Sequence, residues 1–453
     1  MRHYKSALIL GLAESGEAAA RLLLAENTRV QIVDEKKNDE ILRRTESLER
    51  LGAKISVCSS AIPSGDYDVC IISPGLKAAS PLLKEVKTRG ISLLPEFELG
   101  WSRFKGKVLA ITGSNGKSTL VKLCAEALQQ AGLTAFPAGN YGVPVSRAVL
   151  ECPEADWLVL EVSSFQLEEA QKFHPQVAVL LNILPNHLDR HHDMQAYAAI
   201  KARLFANMGA DDVAVVNEDN QVDINKLCHR AAAAPYRARQ VSFGLSPGAD
   251  YIFRDHGVWV RATGRKISFR GTFFDNTILG QAAAAAVAAL EGCGVDPVFL
   301  ESAARNFRPL PHRMEYLGEI NGVRFVDDSK STNLAALIGA LRMMSGKVRL
   351  IAGGLPKHEP YAGAGGLLAE KAAAVYLIGM SAAEMEAAWR DRVVCKICGT
   401  LDKAFHEAWE EATAGDIILL SPACASFDQF RNFDERGEVF RSFFRDLNAK
   451  SCS

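Results

Sequence analysis

The residues with the clearest chemical meaning form a glycine-rich turn that ends in lysine and serine: Gly113, Ser114, Asn115, Gly116, Lys117 and Ser118. The turn follows an apolar, β-type run and precedes a helical pattern that reaches about Gln130. In this position, free backbone N–H groups and the helix dipole face an anion. Lys117 would reach terminal phosphates, and the Ser118 hydroxyl would ligate Mg²⁺. The turn therefore predicts a phosphate loop that binds a nucleotide.

The phosphate loop departs from the full GxxxxGK[ST] pattern, because Ile111 stands where the first glycine belongs. The prediction therefore depends on the strand-turn-helix context as well as on the pattern. The alternative is a glycine turn of purely structural use.

Two strand ends downstream supply groups suited to a nucleotide-bound metal. An apolar run ends at Glu161, and the next one ends at Asn182 and leads into a loop with several histidines. Ligands of open α/β sheets collect at the carboxyl ends of strands. We expect Glu161 to hold Mg²⁺, the alternative being an ordinary strand-end acid, and His187 to contact metal or phosphate. We expect His191 and His192 to face solvent.

Three stretches of the chain read as a strand, a glycine-bearing or polar turn and a following element. They begin near residues 7, 108 and 323, and their rhythm predicts an α/β fold with parallel sheets. We expect three domains, at 1–96, 97–309 and 310–453. The first and third are expected to be Rossmann-like, and the second is expected to be a P-loop mononucleotide-binding α/β domain. The alanine run 282–286 is predicted to lie in a packed helix, since alanine is the best helix former.

Composition limits the classes of partner. The chain has 453 residues, 48% hydrophobic and 23% charged, with a net charge of -1. Its length suits two to three domains, and its balanced charge offers no field that would attract nucleic acid or an anionic membrane. The apolar run near the N-terminus is too short for a secretory signal, and no stretch is long enough to span a membrane. We expect a cytosolic, monomeric protein.

The ten cysteines are scattered, so reduced thiols are expected rather than a disulfide framework. Cys395 and Cys398 have CxxC spacing but lack a second pair or a nearby histidine to complete a zinc site. We expect them to pack in a strand and turn.

At this point the residues resemble a family, the Mur ligases of bacterial cell-wall synthesis, over nearly the whole chain. The motifs that carry the resemblance lie at 112–119, 139–142, 161–167, 186–190, 310–313, 328–333 and 421–430. The runs 163–167 and 421–430 resemble the member that adds D-glutamate.

The resemblance implies that the central domain binds ATP and two Mg²⁺ ions. The implied nucleotide contacts there are Gly113, Ser114, Asn115, Gly116, Lys117, Ser118 and Thr119. The implied metal ligands are Ser118, Glu161, His187 and Lys201, the last as a carbamate, and Lys117 completes the implied catalytic set. Without the resemblance, Lys201 would be interpreted as a surface helix lysine. A carbamate supplies the anionic oxygens that Mg²⁺ prefers.

The other implied contacts are spread over all three domains. His312, Arg313 and Asp328 would clasp the adenine nucleotide. The implied amine site consists of Lys330, Thr332, Lys357, Ser426, Phe427 and Phe433. Two lysines suit a substrate with two carboxylates. The implied site for the uridine nucleotide consists of Glu14, Ser15, Gly16, Asp34, Ser73, Pro74 and Gly75, with Asn140 as a further substrate contact.

The resemblance implies a reaction in which ATP converts the carboxylate of UDP-N-acetylmuramoyl-L-alanine to an acyl phosphate, which the amine of D-glutamate then attacks. Water would destroy that intermediate, so we expect the third domain to close over the second about the proline-stiffened segment near 309. The alternatives are a diaminopimelate- or lysine-adding Mur ligase or a folylpolyglutamate synthase. A nucleotide-binding regulator or Rossmann oxidoreductase is a rival from another class, but it leaves the Gly-Lys-Ser turn unexplained.

Two departures from the family pattern stand out. Alanines occupy 282–286, where the family has asparagines that face adenine, so the adenine contact is in question. Asp327 replaces an asparagine before Asp328. Its added negative charge near ATP is a cost unless the carboxylate is paired or turned away.

Overall fold

The structure is a computed structural model that describes residues 3–73, 75–76, 79–220, 227, 237–357 and 359–451. The chain forms two compact units, one of residues 1–183 with 187–306 and one of residues 184–186 with 307–453. Within the described ranges, the strands assemble into three sheets, two in the first unit and one in the second. The mixed α/β fold with parallel sheets is confirmed.

The first sheet has five parallel strands in the order β3-β2-β1-β4-β5. They are β1 Ser6–Leu10, β2 Arg29–Asp34, β3 Lys54–Val57, β4 Val69–Ile72 and β5 Leu93–Pro95. The accompanying helices are α1 Glu14–Ala25, α2 Asp39–Glu49, α3 Pro81–Thr88 and α4 Glu96–Trp101. Every residue of β1 is buried, as expected for a central strand covered on both faces.

The second sheet has nine strands in the order β14-β13-β12-β11-β10-β9-β6-β8-β7. They are β6 Lys107–Thr112, β7 Ala135–Gly139, β8 Trp157–Glu161, β9 Val177–Leu180, β10 Val213–Asn217, β11 Arg239–Gly244, β12 Tyr251–Arg254, β13 Gly257–Val260 and β14 Arg265–Ser268. The strands from β7 to β12 pair in parallel, and β12, β13 and β14 form an antiparallel meander. The phosphate-loop strand β6 is therefore internal to the sheet.

Helices and one 3₁₀ turn accompany this second sheet. They are α5 Lys117–Gln130, α6 Val145–Glu151, α7 Ser164–Leu167, α8 Leu188–His191, α9 Met194–Ala202, α10 Thr277–Gly292 and α11 Phe299–Asn306, with a 3₁₀ turn at Arg203–Phe205. Helix α5 ends at the predicted place, and Gly132 follows it with φ of +84°. The alanine run lies fully buried inside α10, which confirms the packed helix.

The third sheet has six strands in the order β15-β16-β20-β17-β18-β19, of which β15 alone is antiparallel to its neighbour in the described part. The strands are β15 Glu315–Ile320, β16 Val323–Asp327, β17 Val348–Gly353, β18 Ala372–Ile378, β19 Cys395–Gly399 and β20 Ile417–Leu420. The helices are α12 Leu334–Met343, α13 Gly365–Lys371, α14 Ala382–Trp389, α15 Leu401–Glu410 and α16 Phe433–Ser451, with a 3₁₀ turn at Tyr361–Ala364.

The proline-stiffened connection lies where the second unit begins, at Phe307. Cys395 and Cys398 lie in β19, half-buried and buried respectively, and both thiols are free. Among the described helices, none combines the length and apolarity needed to cross a membrane.

Candidate active site

Strand register brings the predicted nucleotide residues of the first unit to one edge of the second sheet. Strand β6 lies between β8 and β9, with Ile111 opposite Glu161 and Thr112 opposite Leu180. The phosphate loop, Glu161 and the segment after β9 therefore start at neighbouring carboxyl ends, where ligands of open α/β sheets bind.

The phosphate loop has the backbone that a tight anion-binding turn needs. Gly113 has φ of +156° and Gly116 has φ of +82°, both in the region that favours glycine. A Cβ at Gly116 would lie 2.8 Å from Leu181 Cδ2, so the turn packs closely. Helix α5 begins at Lys117, whose Nζ donates to the Ser114 carbonyl at 3.0 Å. Ser118 and Thr119 are buried in its first turn.

Asn182 is a residue of this loop that sequence reasoning noted only as a strand end. Its Oδ1 accepts hydrogen bonds from the backbone N–H groups of Ser114 and Asn115, each at 2.9 Å. Its Nδ2 donates to the Asn115 carbonyl at 3.0 Å. The side chain therefore fixes the first half of the loop, and its position two residues after β9 is the signal that points to it.

Glu161 is buried and offers both carboxylate oxygens to polar groups of the site. Ser118 Oγ donates to Oε2 at 2.5 Å, and Asn140 Nδ2 donates to Oε1 at 2.6 Å. Gly139 has φ of +101°, and a Cβ there would lie 2.3 Å from the Glu161 carbonyl, so glycine lets β7 approach β8. The predicted metal residues Ser118 and Glu161 and the predicted substrate residue Asn140 thus lie together.

Lys201 lies in the interior, so its interpretation as a surface helix lysine is wrong. Its side chain is 1% exposed, and Nζ donates to the Gly113 carbonyl at 2.9 Å. Burial lowers the pKa of Lys201 well below its ordinary value, and the charge of Lys117 lowers it further, while Glu161 opposes the shift. A neutral amine is therefore accessible beside the phosphate loop.

The expectation that His191 faces solvent is also wrong, whereas His192 is exposed. The His191 ring lies 5.2 Å from the Tyr197 ring, and Nε2 is 3.0 Å from Ser164 Oγ. Tyr197 OH in turn lies 3.2 Å from Ser114 Oγ. The His191 ring is buried because it packs against an aromatic ring and hydrogen-bonds to a hydroxyl. The polar composition of the loop gives no sign of either contact.

His187 precedes α8 and adopts φ of +56°, a conformation that is uncommon for residues other than glycine. Its ring contacts the Phe165 ring edge-on, with a centroid distance of 4.8 Å. The Arg190 guanidinium lies 4.4 Å over the same phenyl ring and pairs with Glu168. Residues around Phe165 thus hold His187 in a constrained backbone.

The predicted uridine-nucleotide residues surround the β1–α1 turn of the first sheet. A Cβ on Gly16 would lie 1.9 Å from the Gly11 carbonyl, so only glycine allows the helix this close to the strand. Asp34 uses both oxygens to accept the N–H groups of Leu12 and Lys36, each at 2.7 Å.

The remaining residues of that set differ in their surroundings. Among the described residues, the buried Ser73 Oγ has no hydrogen-bond partner, Glu14 and Gly75 are exposed, and Ser15 is partly buried. Pro74 lies outside the described residues.

In the second unit, three parallel strand ends gather the predicted amine-site residues. Strand β20 lies between β16 and β17, with Leu420 opposite Asp327 and Ile351, so the segments after these strands share one edge. Lys330 Nζ lies 3.4 Å over the Phe433 ring. Ser426 is buried, Thr332 and Lys357 are partly buried, and Phe427 is 69% exposed.

Arg436 is a buried residue of this region that sequence reasoning missed. Its guanidinium donates to the Ser329 carbonyl at 2.8 Å and to the Cys424 carbonyl at 3.2 Å. It thereby ties the segments after β16 and β20 to α16. An arginine one turn inside a helix gives no sequence signal for this role.

His312 and Asp328, predicted to hold the nucleotide, are both buried, and Arg313 is partly buried. Burial raises the pKa of Asp328 to about 7, against hydrogen bonds from Ser421 and the Met314 N–H. The Nδ1 atom of His312 pairs with Asp327 Oδ2 at 2.7 Å. Asp327 is therefore paired, which answers the cost expected of its added charge.

His312, Glu315 and Asp327 bring their ligand atoms within 4.8 Å of one another. Arg441 Nη2 already pairs with Glu315 Oε2 at 2.7 Å, so the guanidinium supplies a positive charge to one carboxylate of this group. The arrangement is an ion-pair cluster in which the protein supplies the positive charge.

The alanines at 282–286 are buried in α10. Alanine has no side-chain amide, so these positions cannot supply the adenine contact that the family's asparagines would make. The neighbouring Gln281 accepts from Asn217 Nδ2 at 3.1 Å, and the same amide group donates to the Leu181 carbonyl at 3.0 Å. The amides at this end of α10 thus come from Gln281 and from β10.

Comparisons with known proteins agree with the motifs. A model of the Mur ligase middle domain matches residues 111–285, and a model of the Mur ligase, glutamate ligase domain matches residues 312–424. The UDP-N-acetylmuramoylalanine--D-glutamate ligase of Koribacter versatilis is 36% identical over 448 residues, covering 98% of each chain. That of Nitratidesulfovibrio vulgaris is 38% identical over 451 residues, covering 97% of this chain and 96% of the relative.

Solved structures are similar in fold. A MurF ligase from Thermotoga maritima, crystallised in complex with ADP, has a TM-score of 0.62 at 19% identity and covers 93% of this chain and 96% of its own. With relatives above one-third identity over almost the full length and two matched domains, the chain belongs to the Mur ligase family.

Proposed function

We propose that this protein is an ATP-dependent ligase that joins D-glutamate to UDP-N-acetylmuramoyl-L-alanine through an acyl phosphate, in peptidoglycan synthesis. The names of the near full-length relatives support the substrates, and the two matched domains support the ligase chemistry. The observation that carries the proposal is the convergence of Lys117, Ser118, Glu161 and buried Lys201 at one sheet edge.

In the proposed first step, a carboxylate oxygen of the uridine nucleotide attacks the γ-phosphorus of ATP. An oxygen–phosphorus bond forms to give the acyl phosphate, and the bond to the ADP oxygen breaks. Lys117 and the N–H groups at the start of α5 stabilise the charge on the transferring phosphoryl group. The amine of D-glutamate then attacks the acyl carbon, and phosphate leaves as the amide forms.

The central site fits the two Mg²⁺ ions that the family pattern implies. Ser118, Glu161 and a carbamylated Lys201 would hold them through oxygen atoms, which suit Mg²⁺, and His187 would contribute a ring nitrogen. Carbamylation requires an unprotonated amine that attacks CO₂ and releases a proton, and the lowered pKa of Lys201 favours that form. Bound Mg²⁺ would neutralise negative charge on the reacting phosphate.

The third sheet would supply the amine site. Lys330 and Lys357 match the two carboxylates of D-glutamate in charge, and the Thr332 and Ser426 hydroxyls add hydrogen-bond capacity. We assign this role to residues 310–453, ATP binding to 97–309 and uridine-nucleotide binding to 1–96. We further propose that the enzyme works as a monomer in the cytoplasm, where ATP is available.

A coupled assay tests the proposal with purified UDP-N-acetylmuramoyl-L-alanine, ATP, Mg²⁺ and a panel of amino acids. Phosphate release that depends on D-glutamate is expected. Release that depends instead on diaminopimelate or lysine would assign the chain to another Mur activity. Release with a folate and L-glutamate would indicate a folylpolyglutamate synthase, and both results contradict the proposal.

A further inference from the structure

His312, which is predicted to contact the nucleotide, lies at the centre of a buried ion-pair cluster whose Asp327 has no role in the proposed reaction. Its ring is almost completely buried, and its Nδ1 lies 2.7 Å from Asp327 Oδ2. Nε2 faces Glu438 Oε1 at 3.6 Å. A carboxylate therefore faces each nitrogen, an arrangement that suits an imidazolium with two N–H donors.

The charges around the ring come from every element packed against it. Asp327 ends β16, Glu315 begins β15, and Glu438 and Arg441 lie on α16. Burial lowers the pKa of His312, but the hydrogen bond to Asp327 and the charges of Asp327 and Glu315 together outweigh burial and the opposing charge of Arg441, so the pKa is raised. Asp327 has no exposed surface, so its carboxylate requires a paired charge.

The same two residues hold the segment that follows β16. Asp327 Oδ1 accepts the Ser329 N–H at 2.9 Å, and the His312 carbonyl accepts the Lys330 N–H at 3.0 Å. His312 adopts φ of +59°, and a Cβ on Gly437 would lie 2.1 Å from its Nδ1, so the ring has little room to move. The pair thus fixes the backbone from which Lys330 projects.

We propose that Asp327 is a positioning residue that holds His312 as an imidazolium and so fixes segment 328–332, which carries Lys330 and Thr332. The claim rests on the proposed function for its kinetic effect alone. Asp327→Asn tests it, because an amide keeps a hydrogen-bond acceptor and nearly the same shape but loses the charge. Glu438→Gln is the matched control, since that acid lies farther from the ring and its side chain is half exposed.

Two measurements on the full chain without substrates test the pairing. Imidazole ¹⁵N NMR, with the His312 signals assigned by their loss in His312→Gln, gives the titration midpoint. In D327N we expect that midpoint to fall by about one pH unit or more, and in E438Q by clearly less. Hydrogen exchange of segment 328–332 should be about tenfold faster in D327N and unchanged in E438Q. Equal midpoints or equal exchange in D327N and wild type overturn the proposal.

Kinetics with the amino-acid substrate tests the consequence for the site. We expect D327N to raise KM for D-glutamate about tenfold while kcat stays within about twofold, because a displaced Lys330 weakens binding more than chemistry. The double variant D327N/H312Q should be no worse than the poorer single variant, and additive losses or an unchanged KM contradict the positioning role. If wild-type protein shows no D-glutamate-dependent turnover, the proposed function fails, whereas NMR and exchange still decide the pairing.

Discussion

Burial of a lysine amine costs free energy of folding, so a buried lysine suggests a functional role. Lys201 is enclosed beside the phosphate loop, where its amine meets the Gly113 carbonyl and lies 4.7 Å over the Tyr197 ring. The folded state lowers the pKa of Lys201, so at neutral pH the unfolded chain takes up a proton more readily. The site therefore costs stability, as functional sites commonly do.

We expect Lys201→Met to stabilise the fold at neutral pH while abolishing ligase activity. Removal of the buried amine should raise the free energy of unfolding by about 1 kcal/mol or more. Above the ordinary pKa of 10.5, Lys201 is neutral in both the folded and the unfolded chain. The increase in the free energy of unfolding should therefore vanish toward that pH and grow below it. Urea unfolding in CO₂-free buffer measures it. Lys122→Met, at a partly exposed lysine of α5 that pairs with Glu126 on the same helix, should change stability by less than about 0.5 kcal/mol.

Carbamylation of Lys201 predicts a spectroscopic signal of its own. Protein equilibrated with ¹³C-bicarbonate should show a carbamate carbon resonance that is absent in K201M. Because the lowered pKa leaves more neutral amine, the signal should persist to lower pH than a carbamate on an exposed lysine. A resonance that survives in K201M would assign the carbamate elsewhere.

Two substitutions of Asn182 should raise KM for ATP to different extents. Asn182→Ala removes the acceptor of the Ser114 and Asn115 N–H groups, so the loop loses order, and KM for ATP should rise about tenfold. Asn182→Asp keeps an acceptor but adds a negative charge where phosphate binds. KM for ATP should therefore rise more in N182D than in N182A, and the reverse order would argue against phosphate at this loop.

In the first sheet, large aliphatic side chains form the core, but one contact between helix and strand depends on a glycine. Helix α1 lies so close to β1 that the Gly11 carbonyl occupies the space of a Gly16 side chain. The close approach aims the start of α1 at the edge where the uridine nucleotide is proposed to bind. The absence of a GxGxxG pattern hid this packing from sequence reasoning.

Gly16→Ala should destabilise the protein by about 1–3 kcal/mol, because the added methyl group overlaps the Gly11 carbonyl and must move the helix. Gly339→Ala in α12 is the control. Beyond its own stretch of helix, no described residue has an atom within 4 Å of its added Cβ, and alanine favours a helix, so we expect about 0.5–1 kcal/mol of stabilisation. Thermal unfolding of the two variants should shift in opposite directions, and a shift of G16A in the same direction as G339A would contradict the packing argument.

Over the whole molecule, each unit buries a carboxylate that resists ionisation. Glu96 in the first unit and Asp328 in the second both have pKa values raised to about 7 by burial. In the unfolded chain the Glu96 carboxyl titrates near 4.5. Between these values the folded state keeps its proton and the unfolded state has lost it, so stability falls as pH rises through this window.

Glu96→Gln should flatten that pH dependence, because the amide keeps an acceptor for the Ser146 N–H without a charge to ionise. The free energy of unfolding of E96Q should exceed that of wild type by on the order of 1–3 kcal/mol above about pH 7, and the difference should be near zero below about pH 4.5. Chemical unfolding across this range measures it. The exposed control Glu154→Gln should parallel wild type at every pH, and a matching slope in E96Q would disprove the burial effect.

The amino-acid sequence by itself determined the α/β class, the strand-turn-helix that carries the glycine-rich turn, the packed alanine helix and the position of Glu161 at a strand end. Each of these follows from local pattern: apolar runs of strand length, glycines that permit positive φ, and an acid at the end of a strand. Such signals reside in neighbouring residues, so they survive without knowledge of the fold.

Tertiary structure alone decided which side chains are buried and with what they pair. Lys201, His191 and Asp327 carry groups that sequence reasoning places near water, or counts as a cost. Yet the fold buries them against the Gly113 carbonyl, the Ser164 hydroxyl and His312. The reason is physical: the free energy of a buried polar or charged group depends on partners that lie far away in the sequence, and only the folded chain brings those partners together.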